Sequence, residues 1–165
     1  MSIIGIIASE KQANQMRKEI KEALEKELIS INYKSIENIK NVKFEIVIIQ
    51  ELQGKLKEKQ EYLKELLKET KYLLLNADIT INEEVFEGVN VKILTYGLKQ
   101  KATVTVSSIE ENQIIISIQR AFKNIKGKMI SQQEIPINLK KKNSKYLYNY
   151  LVKVAIINLF SSKNR

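Results

Sequence analysis

The chain has 165 residues and a formal net charge of +9, and its 44% of hydrophobic and 28% of charged residues are typical of one globular domain. It contains neither cysteine nor histidine, which excludes disulfides, thiolate chemistry, histidine-dependent triads and most zinc sites. No apolar run reaches the roughly 18 residues of a membrane span, and no basic region precedes the apolar N-terminus, so we expect a cytoplasmic protein with no membrane span and no signal peptide.

The first half of the chain predicts a parallel sheet with helices on both faces. Residues 3–7 form a short apolar strand, and residues 11–29 repeat apolar positions at helical spacing after a capping Ser9. Residues 30–42 are polar and predict no regular element. The other elements of this half are apolar strands at 44–49, 72–75 and 91–96 and an amphipathic helix at 55–69. Near-continuous apolar strands that alternate with helices are typical of a parallel sheet covered on both sides.

From residue 100 the pattern changes to an antiparallel meander followed by a helix. Apolar and polar residues alternate over 102–107, and over 114–122 the even-numbered positions 114, 116, 118 and 122 are apolar, which places them on one face of a strand. A third strand at 135–139 contains Pro136, which favours a sheet edge. Residues 146–160 are apolar almost all round, so this last helix should be buried.

The predicted fold class is therefore α/β and three-layered, with a mainly parallel sheet extended by an antiparallel three-strand meander. Residues 1–165 form one domain, with an α/β half over 1–99 and the meander with its C-terminal helix over 100–165.

The positive charge lies mostly in the second half of the chain. Residues 1–78 carry 14 basic and 13 acidic side chains, whereas residues 79–165 carry 14 and 6. This asymmetry indicates an anionic partner, or it reflects the codon usage of an AT-rich genome.

Three groups of residues are candidate anion or nucleic-acid contacts. Arg120 shares the parity of the buried face, so it should pair with Glu134 or bind an anion, unless the strand ends or bulges there. Lys141 and Lys145 belong to a basic cluster (140–145) before the last helix, which either binds an anion or is a solvated loop. The tyrosines that follow predict either stacking on single-stranded nucleic acid or core packing: Tyr146, Tyr148 and Tyr150.

Three segments of the chain carry a recognisable pattern. Residues 74–78 read Leu-Leu-Asn-Ala-Asp and are followed by Ile79, residues 92–97 end in Thr-Tyr-Gly, and the last helix has Asn149 three residues after Tyr146. Together they resemble the central domain of the Mur ligases, the ATP-dependent enzymes that add amino acids to peptidoglycan precursors. In that family the first strand ends Leu-Asn-Ala-Asp-Asp, the next ends Thr-Tyr-Gly, and the helix opens Asn-x-x-Asn. Here Ile79 replaces the second Asp, and Tyr146 replaces the first Asn of the helix.

The resemblance implies an adenine-nucleotide site. The second Asn of the family helix, which contacts the adenine base, falls on Asn149. Asn76 and Asp78 follow a sheet strand at its carboxyl end, where α/β proteins gather ligands. The alternatives are a solvent-facing polar residue for Asn149, and turn or capping roles for Asn76 and Asp78.

The phosphate machinery of the family is missing. Its loop, Gly-Thr-x-Gly-Lys-Thr, falls on residues 8–13, Ala-Ser-Glu-Lys-Gln-Ala, where side chains occupy both glycine positions. Gln12 stands at the position of the family's lysine, and Lys11 is one residue before that position. Glu10 adds a negative charge, which would repel a phosphate. The metal-binding histidine is absent, the segment over 30–43 is short, and we expect the C-terminal ligase domain to be missing.

These departures predict a protein that is not an enzyme, with no catalytic residue, no metal and no required cofactor. The leading hypothesis is a non-catalytic Mur-ligase-like binding or regulatory protein, linked to cell-wall synthesis and acting through a protein partner. One alternative is a residual ATP- or ADP-binding protein or enzyme that uses Asn149, Asp78 and Arg120. The other alternative is a basic protein associated with nucleic acid. The sequence leaves the oligomeric state open.

Overall fold

In a computed structural model, the chain is an α/β domain built on a mixed sheet, and the structure describes residues 2–32, 34–39, 41–52, 54, 58–139 and 146–162. The strands in these ranges are β1 (Ile3–Ile7), β2 (Glu27–Ile31), β3 (Ile46–Ile49), β4 (Tyr72–Asn76), β5 (Lys92–Tyr96), β6 (Val104–Ile109), β7 (Gln113–Ile118), β8 (Phe122–Lys123), β9 (Met129–Ile130) and β10 (Gln133–Asn138). The helices described in full are α1 (Glu10–Ala23), α2 (Gln60–Lys68) and α3 (Leu147–Phe160), with short 3-10 helices at Ile36–Asn38 and Glu83–Phe86.

The main sheet has the strand order β10-β7-β6-β5-β4-β3-β1-β2. Neighbouring strands from β2 to β6 are parallel, although β5 and β6 pair only through Tyr96 and Val104. The pairings of β6 with β7 and of β7 with β10 are antiparallel. The mainly parallel sheet and its antiparallel meander are therefore confirmed. Pro136 lies on the edge strand β10, as its missing N–H predicts.

Two hydrophobic cores lie on opposite faces of the sheet because side chains alternate along each strand. On one face, α1 and α3 pack together and contribute Met16, Ile20 and Leu151 to the core. On the other face, α2 and both 3-10 helices contribute Leu63, Ile36 and Val85.

The meander buries one face, as its alternation predicts. Ile114, Ile116 and Ile118 are buried with α3, whereas Ile115 and Ser117 are only half-buried. The small ribbon of β8 and β9 interrupts the chain between β7 and β10.

The predicted helix over 11–29 is too long. Helix α1 ends at Ala23 because Leu24 is extended, and the chain then forms β2, which pairs in parallel with β1. Leu28 is buried as a strand residue in that pairing, so tertiary contacts override the helical spacing. The segment predicted to be irregular (30–42) contains the end of β2 and the 3-10 helix Ile36–Asn38.

The other predicted elements are placed correctly with small shifts. The strand predicted at 44–49 begins at Ile46, and the buried C-terminal helix spans Leu147–Phe160. Helix α2 covers the second part of the predicted helix at 55–69, whose residues 55–57 lie outside the described residues.

Candidate functional site

The carboxyl ends of β1, β3, β4 and β5 lie along one edge of the sheet, and Asn76 ends β4 at this edge. Its side chain is buried, and Asn76 Nδ2 donates to the carbonyl oxygen of Gln50 at 3.1 Å. Asn76 Oδ1 accepts from the backbone N–H of Asp78 at 2.9 Å. Both ends of this amide are therefore bound to backbone, as the alternative turn role predicts.

Asp78 is the most connected carboxylate of the edge. Its Oδ2 accepts from the backbone N–H of Leu98 at 2.6 Å and from the hydroxyl of Tyr148 at 2.9 Å. Its Oδ1 accepts from the backbone N–H of Lys99 at 3.0 Å. Asp78 thereby ties the turn after β4 to the loop after β5 and to α3.

These contacts change the acidity of both partners. Desolvation by burial opposes ionisation of Asp78, but the hydrogen bonds from Leu98, Lys99 and Tyr148 outweigh it and lower its pKa. Burial and the hydrogen bond to Asp78 raise the pKa of Tyr148 to about 12. Asp78 is therefore an anion near neutral pH, and Tyr148 keeps the proton that it donates.

Gly97 makes this arrangement possible because its backbone passes directly beside the Asp78 carboxylate. A Cβ at Gly97 would lie 2.9 Å from Asp78 Oδ1, and its φ of +158° is uncommon for other residues. A side chain at position 97 would push the carboxylate away from its donors.

A buried tyrosine supports the same edge from the side of the core. Tyr96 is fully buried, and its hydroxyl donates to Gln50 Oε1 at 2.5 Å, close to the carbonyl oxygen of Ile49. Burial raises the pKa of Tyr96 well above its ordinary value. The Tyr96 ring meets the Tyr148 ring edge to face, with 6.4 Å between the ring centres.

The loop between β5 and β6 (residues 97–103), here termed the β5–β6 loop, is also held from the side of β7. Gln119 Nε2 donates to the carbonyl oxygens of Gln100 and Ala102, at 2.8 Å and 2.6 Å. The loop ends where the backbone N–H of Thr103 donates to Thr95 Oγ1 at 3.0 Å.

Arg120 holds this loop too. The interpretation as a buried-face residue is wrong, and the alternative that the strand ends before Arg120 is confirmed. Strand β7 ends at Ile118, so Arg120 is exposed, and the parity of the strand no longer applies to it. Its Nη1 donates to the carbonyl oxygen of Lys101 at 2.9 Å and to Thr103 Oγ1 at 3.3 Å. Among the described residues, no ion pair joins Arg120 to Glu134.

The turn from β1 to α1 has an internal carboxylate beside it. Ser9 caps α1, because its Oγ accepts from the backbone N–H of Gln12 at 3.3 Å. The backbone N–H of Ser9 donates to Glu51 Oε1 at 2.8 Å. Glu51 lies two residues after the end of β3. The capping role predicted for Ser9 is confirmed, and Glu51 was not predicted to contribute.

An open cleft of about 770 Å³ lies beside the carboxyl ends of β4 and β5. The 3-10 helix Glu83–Phe86 and the residue after it form one wall, and the β5–β6 loop forms another. The charged residues of its lining are Glu83, Glu87, Lys99 and Lys101, and its other residues include Leu75, Asn76, Thr80, Phe86 and Thr95.

Asn149 is 5% exposed, so the interpretation as a solvent-facing residue is wrong. Tyr148 and Tyr150 pack against the core, as a buried helix would use them. The predicted anion contacts Lys141 and Lys145 lie outside the described residues.

Sequence reasoning identified Asn76 and Asp78 but missed the residues that bind them. Gln50, Gly97 and Tyr148 approach Asp78 or Asn76 from other parts of the chain. The one local signal was the Thr-Tyr-Gly end of β5, since a glycine directly after a strand often marks a close approach of backbone.

Comparison with known proteins adds little to this geometry. No protein-family model and no curated protein sequence matches the chain. Among solved structures, a similar one is apo D-lactate dehydrogenase from Escherichia coli, with a TM-score of 0.39 and 16% identity. The matched region covers 56% of this chain and 30% of the dehydrogenase. A likeness at this level carries no argument about function.

Two further observations concern the residues that the structure describes. None of their helices has the length and apolar character needed to cross a membrane. No three side chains of metal-ligating type come together among them.

Proposed function

We propose that this protein is a non-catalytic relative of the Mur ligase central domain that acts as a binding or regulatory protein in the cytoplasm. The three segments that carry the resemblance meet at one point, which supports the proposal. Asp78 ends the first segment, Gly97 ends the second, and Tyr148 lies in the third. The proposed link to cell-wall synthesis and to a protein partner rests on the resemblance alone.

One observation carries the non-catalytic part of the proposal, namely the carboxylate of Glu51 on the backbone N–H of Ser9. In a phosphate-binding turn, backbone N–H groups at this place point at the ligand, and the helix dipole favours negative charge there. Here a carboxylate of the chain itself takes that N–H at 2.8 Å. Glu10 adds a second acidic group in the first turn of α1. An incoming phosphate would meet like charge instead of free donors.

Calorimetric titration with Mg-ATP, ADP and adenosine tests this proposal. We expect no binding of any of the three up to millimolar concentration. Mg-ATP binding at micromolar concentration would refute the proposal, because the phosphates would then bind at a site other than the usual loop. The variant Glu51→Gln serves as a matched control, since it keeps an acceptor for Ser9 and removes the negative charge.

A second candidate function is the binding of an adenine nucleoside without a phosphate site. It is favoured by Asn149, which stands at the position of the family's adenine contact and is 5% exposed. In this case adenosine, ADP and Mg-ATP should bind with similar affinity, and Asn149→Ala should weaken all three alike.

A further inference from the structure

The two outer strands of the main sheet differ in their capacity to pair with another strand. Strands β10 and β2 lie at opposite edges. The backbone N–H of Leu139, just after β10, donates to the carbonyl oxygen of Asn112 on the β7 side. Because the direction of the backbone groups alternates along a strand, Pro136 points outward. Proline has no N–H, so the middle of this edge offers no donor and is unfavourable for pairing.

The outward groups of β2 follow from its register with β1. The odd-numbered residues of β1 bond toward β3, where the carbonyl oxygen of Ile7 accepts from the backbone N–H of Gln50. The even-numbered residues of β1 therefore face β2, and their register partners there are Leu28 and Ser30. In a parallel pair, a residue bonds to the two residues that flank its register partner. The N–H and C=O groups of Leu28 and Ser30 thus point away from the sheet.

These four backbone groups form an open edge. Among the described residues, no hydrogen bond reaches the outward N–H or C=O of Leu28 or Ser30. The five residues of β2 include no proline and no lysine, and its register with β1 has no bulge, so the usual protections of an edge are missing from this strand. The side chains of Leu28 and Ile31 are buried on opposite faces of the sheet, which holds the strand in place.

We infer that β2 pairs with β2 of a second copy of this chain, antiparallel about a two-fold axis, so that the two sheets become continuous. Ile29 lies opposite Ile29 of the second copy at the axis. Leu28 of each copy then lies opposite Ser30 of the other, and each such pair exchanges two hydrogen bonds. All four outward groups of each copy are satisfied in this register. A shift by two residues would place Leu28 or Ser30 opposite a position outside β2.

The charge distribution permits this contact. Strands β6, β7 and β10 of the basic second half lie toward the opposite edge of the sheet, whereas residues 1–78 carry 14 basic and 13 acidic side chains. In the proposed register Glu27 lies opposite Ile31. Lys26, just before the strand, lies opposite Asn32, so no like charges face each other directly. Because five residues make a small contact, the dimer depends on protein concentration.

Sedimentation equilibrium of the full chain tests for the dimer. We expect the mass to rise from 19.1 kDa toward twice that value between micromolar and millimolar concentration. Assembly should stop there, because the pairing consumes the open edge of both copies. A mass that stays at that of one chain over this range, or assembly beyond two chains, would overturn the inference. The pairing does not depend on whether the turn before α1 binds phosphate, so this result leaves the proposed function untouched.

Single cysteines locate the contact, since the chain has no cysteine of its own. Ile29→Cys places two thiols opposite each other with Cβ atoms about 4.5–5.5 Å apart, so mild oxidation should give a disulfide-linked dimer. Glu27→Cys is the matched control on the same face of the strand. Its two thiols lie four residues apart along the paired strands, about 13 Å, and should stay reduced. Equal yields of linked dimer from the two variants would overturn the register and the inference with it.

A proline at the open edge tests the hydrogen bonds themselves. Ser30→Pro removes an N–H that points outward, so one chain alone loses no hydrogen bond, whereas the dimer loses two. We expect dimerisation to weaken by about tenfold or more. Ser30→Ala is the control: it keeps the N–H and removes only a buried hydroxyl that has no partner, so it should dimerise like wild type. Urea unfolding at low concentration checks that both variants fold, and unchanged dimerisation of folded Ser30→Pro would contradict the pairing.

Discussion

Replacement of Asp78 by asparagine should destabilise the fold, although the two side chains have nearly the same shape. The carboxylate accepts from Leu98, Lys99 and Tyr148 through its two oxygens. An asparagine that presents its oxygen to Leu98 and Tyr148 turns its NH2 group toward the backbone N–H of Lys99. Two donors then face each other, and the two hydrogen bonds that remain lose the assistance of the charge.

The expected cost is about 2 kcal/mol. A hydrogen bond to a charged group contributes about 1.5–3 kcal/mol when the group is well shielded, and Asp78 is only half-buried, so its three bonds cannot be summed at full value. The loss of one bond and the weakening of two give the lower part of that range. For a chain of this size, about 2 kcal/mol corresponds to a decrease of about 4–8 °C in melting temperature.

Urea unfolding at several pH values checks this estimate. The partners of Asp78 lower its pKa in the folded state. The contribution of Asp78 to the free energy of unfolding is therefore full above the ordinary carboxyl pKa of about 3.9. It is lost as the pH falls through the lower pKa of the folded state. The difference between wild type and Asp78→Asn should therefore be full at neutral pH and shrink below about pH 4. Equal stability of the two proteins at neutral pH would refute the reasoning, as would a difference that does not change with pH.

Three further predictions concern the surroundings of this carboxylate. Gly97→Ala should lower the free energy of unfolding by roughly 2 kcal/mol, because its Cβ would lie 2.9 Å from a carboxylate oxygen. Gly88→Ala, with φ of +70° and open space around it, should lower it by about 1 kcal/mol. Urea unfolding compares the two variants. The stability that Tyr148 contributes should be lost as the pH rises from about 10 toward its folded pKa of about 12, and Tyr148→Phe should flatten this alkaline loss in thermal unfolding. Arg120→Ala should cost less than about 1 kcal/mol because the side chain is exposed, but hydrogen exchange of the β5–β6 loop should become faster, and Gln119→Ala should accelerate it further.

The sequence predicts the central strands well because they are buried on both faces. Strands β3 and β4 are almost wholly apolar, and a run of that kind indicates the middle of a parallel sheet without reference to any other residue. Strand β2 escaped prediction because Leu24 and Leu28 continue the helical spacing of α1. Its strand conformation is decided by pairing with β1, which a local pattern does not contain.

The site is less predictable than the fold because its contacts join distant parts of the chain. Tyr148 and Asp78 are 70 residues apart, and Ser9 and Glu51 are 42 apart. The parity of β7 placed Arg120 on the wrong face because parity holds only while the strand lasts, and the strand ends two residues earlier.

The hydrogen bonds of Asp78 favour a structural role over proton transfer. A general base works best when its pKa lies near the operating pH, and the partners of Asp78 move its pKa the other way. Its two oxygens are engaged by two backbone N–H groups and the Tyr148 hydroxyl, a donor whose own pKa is about 12. The carboxylate that the family resemblance would place beside a nucleotide thus serves here to hold the β5–β6 loop.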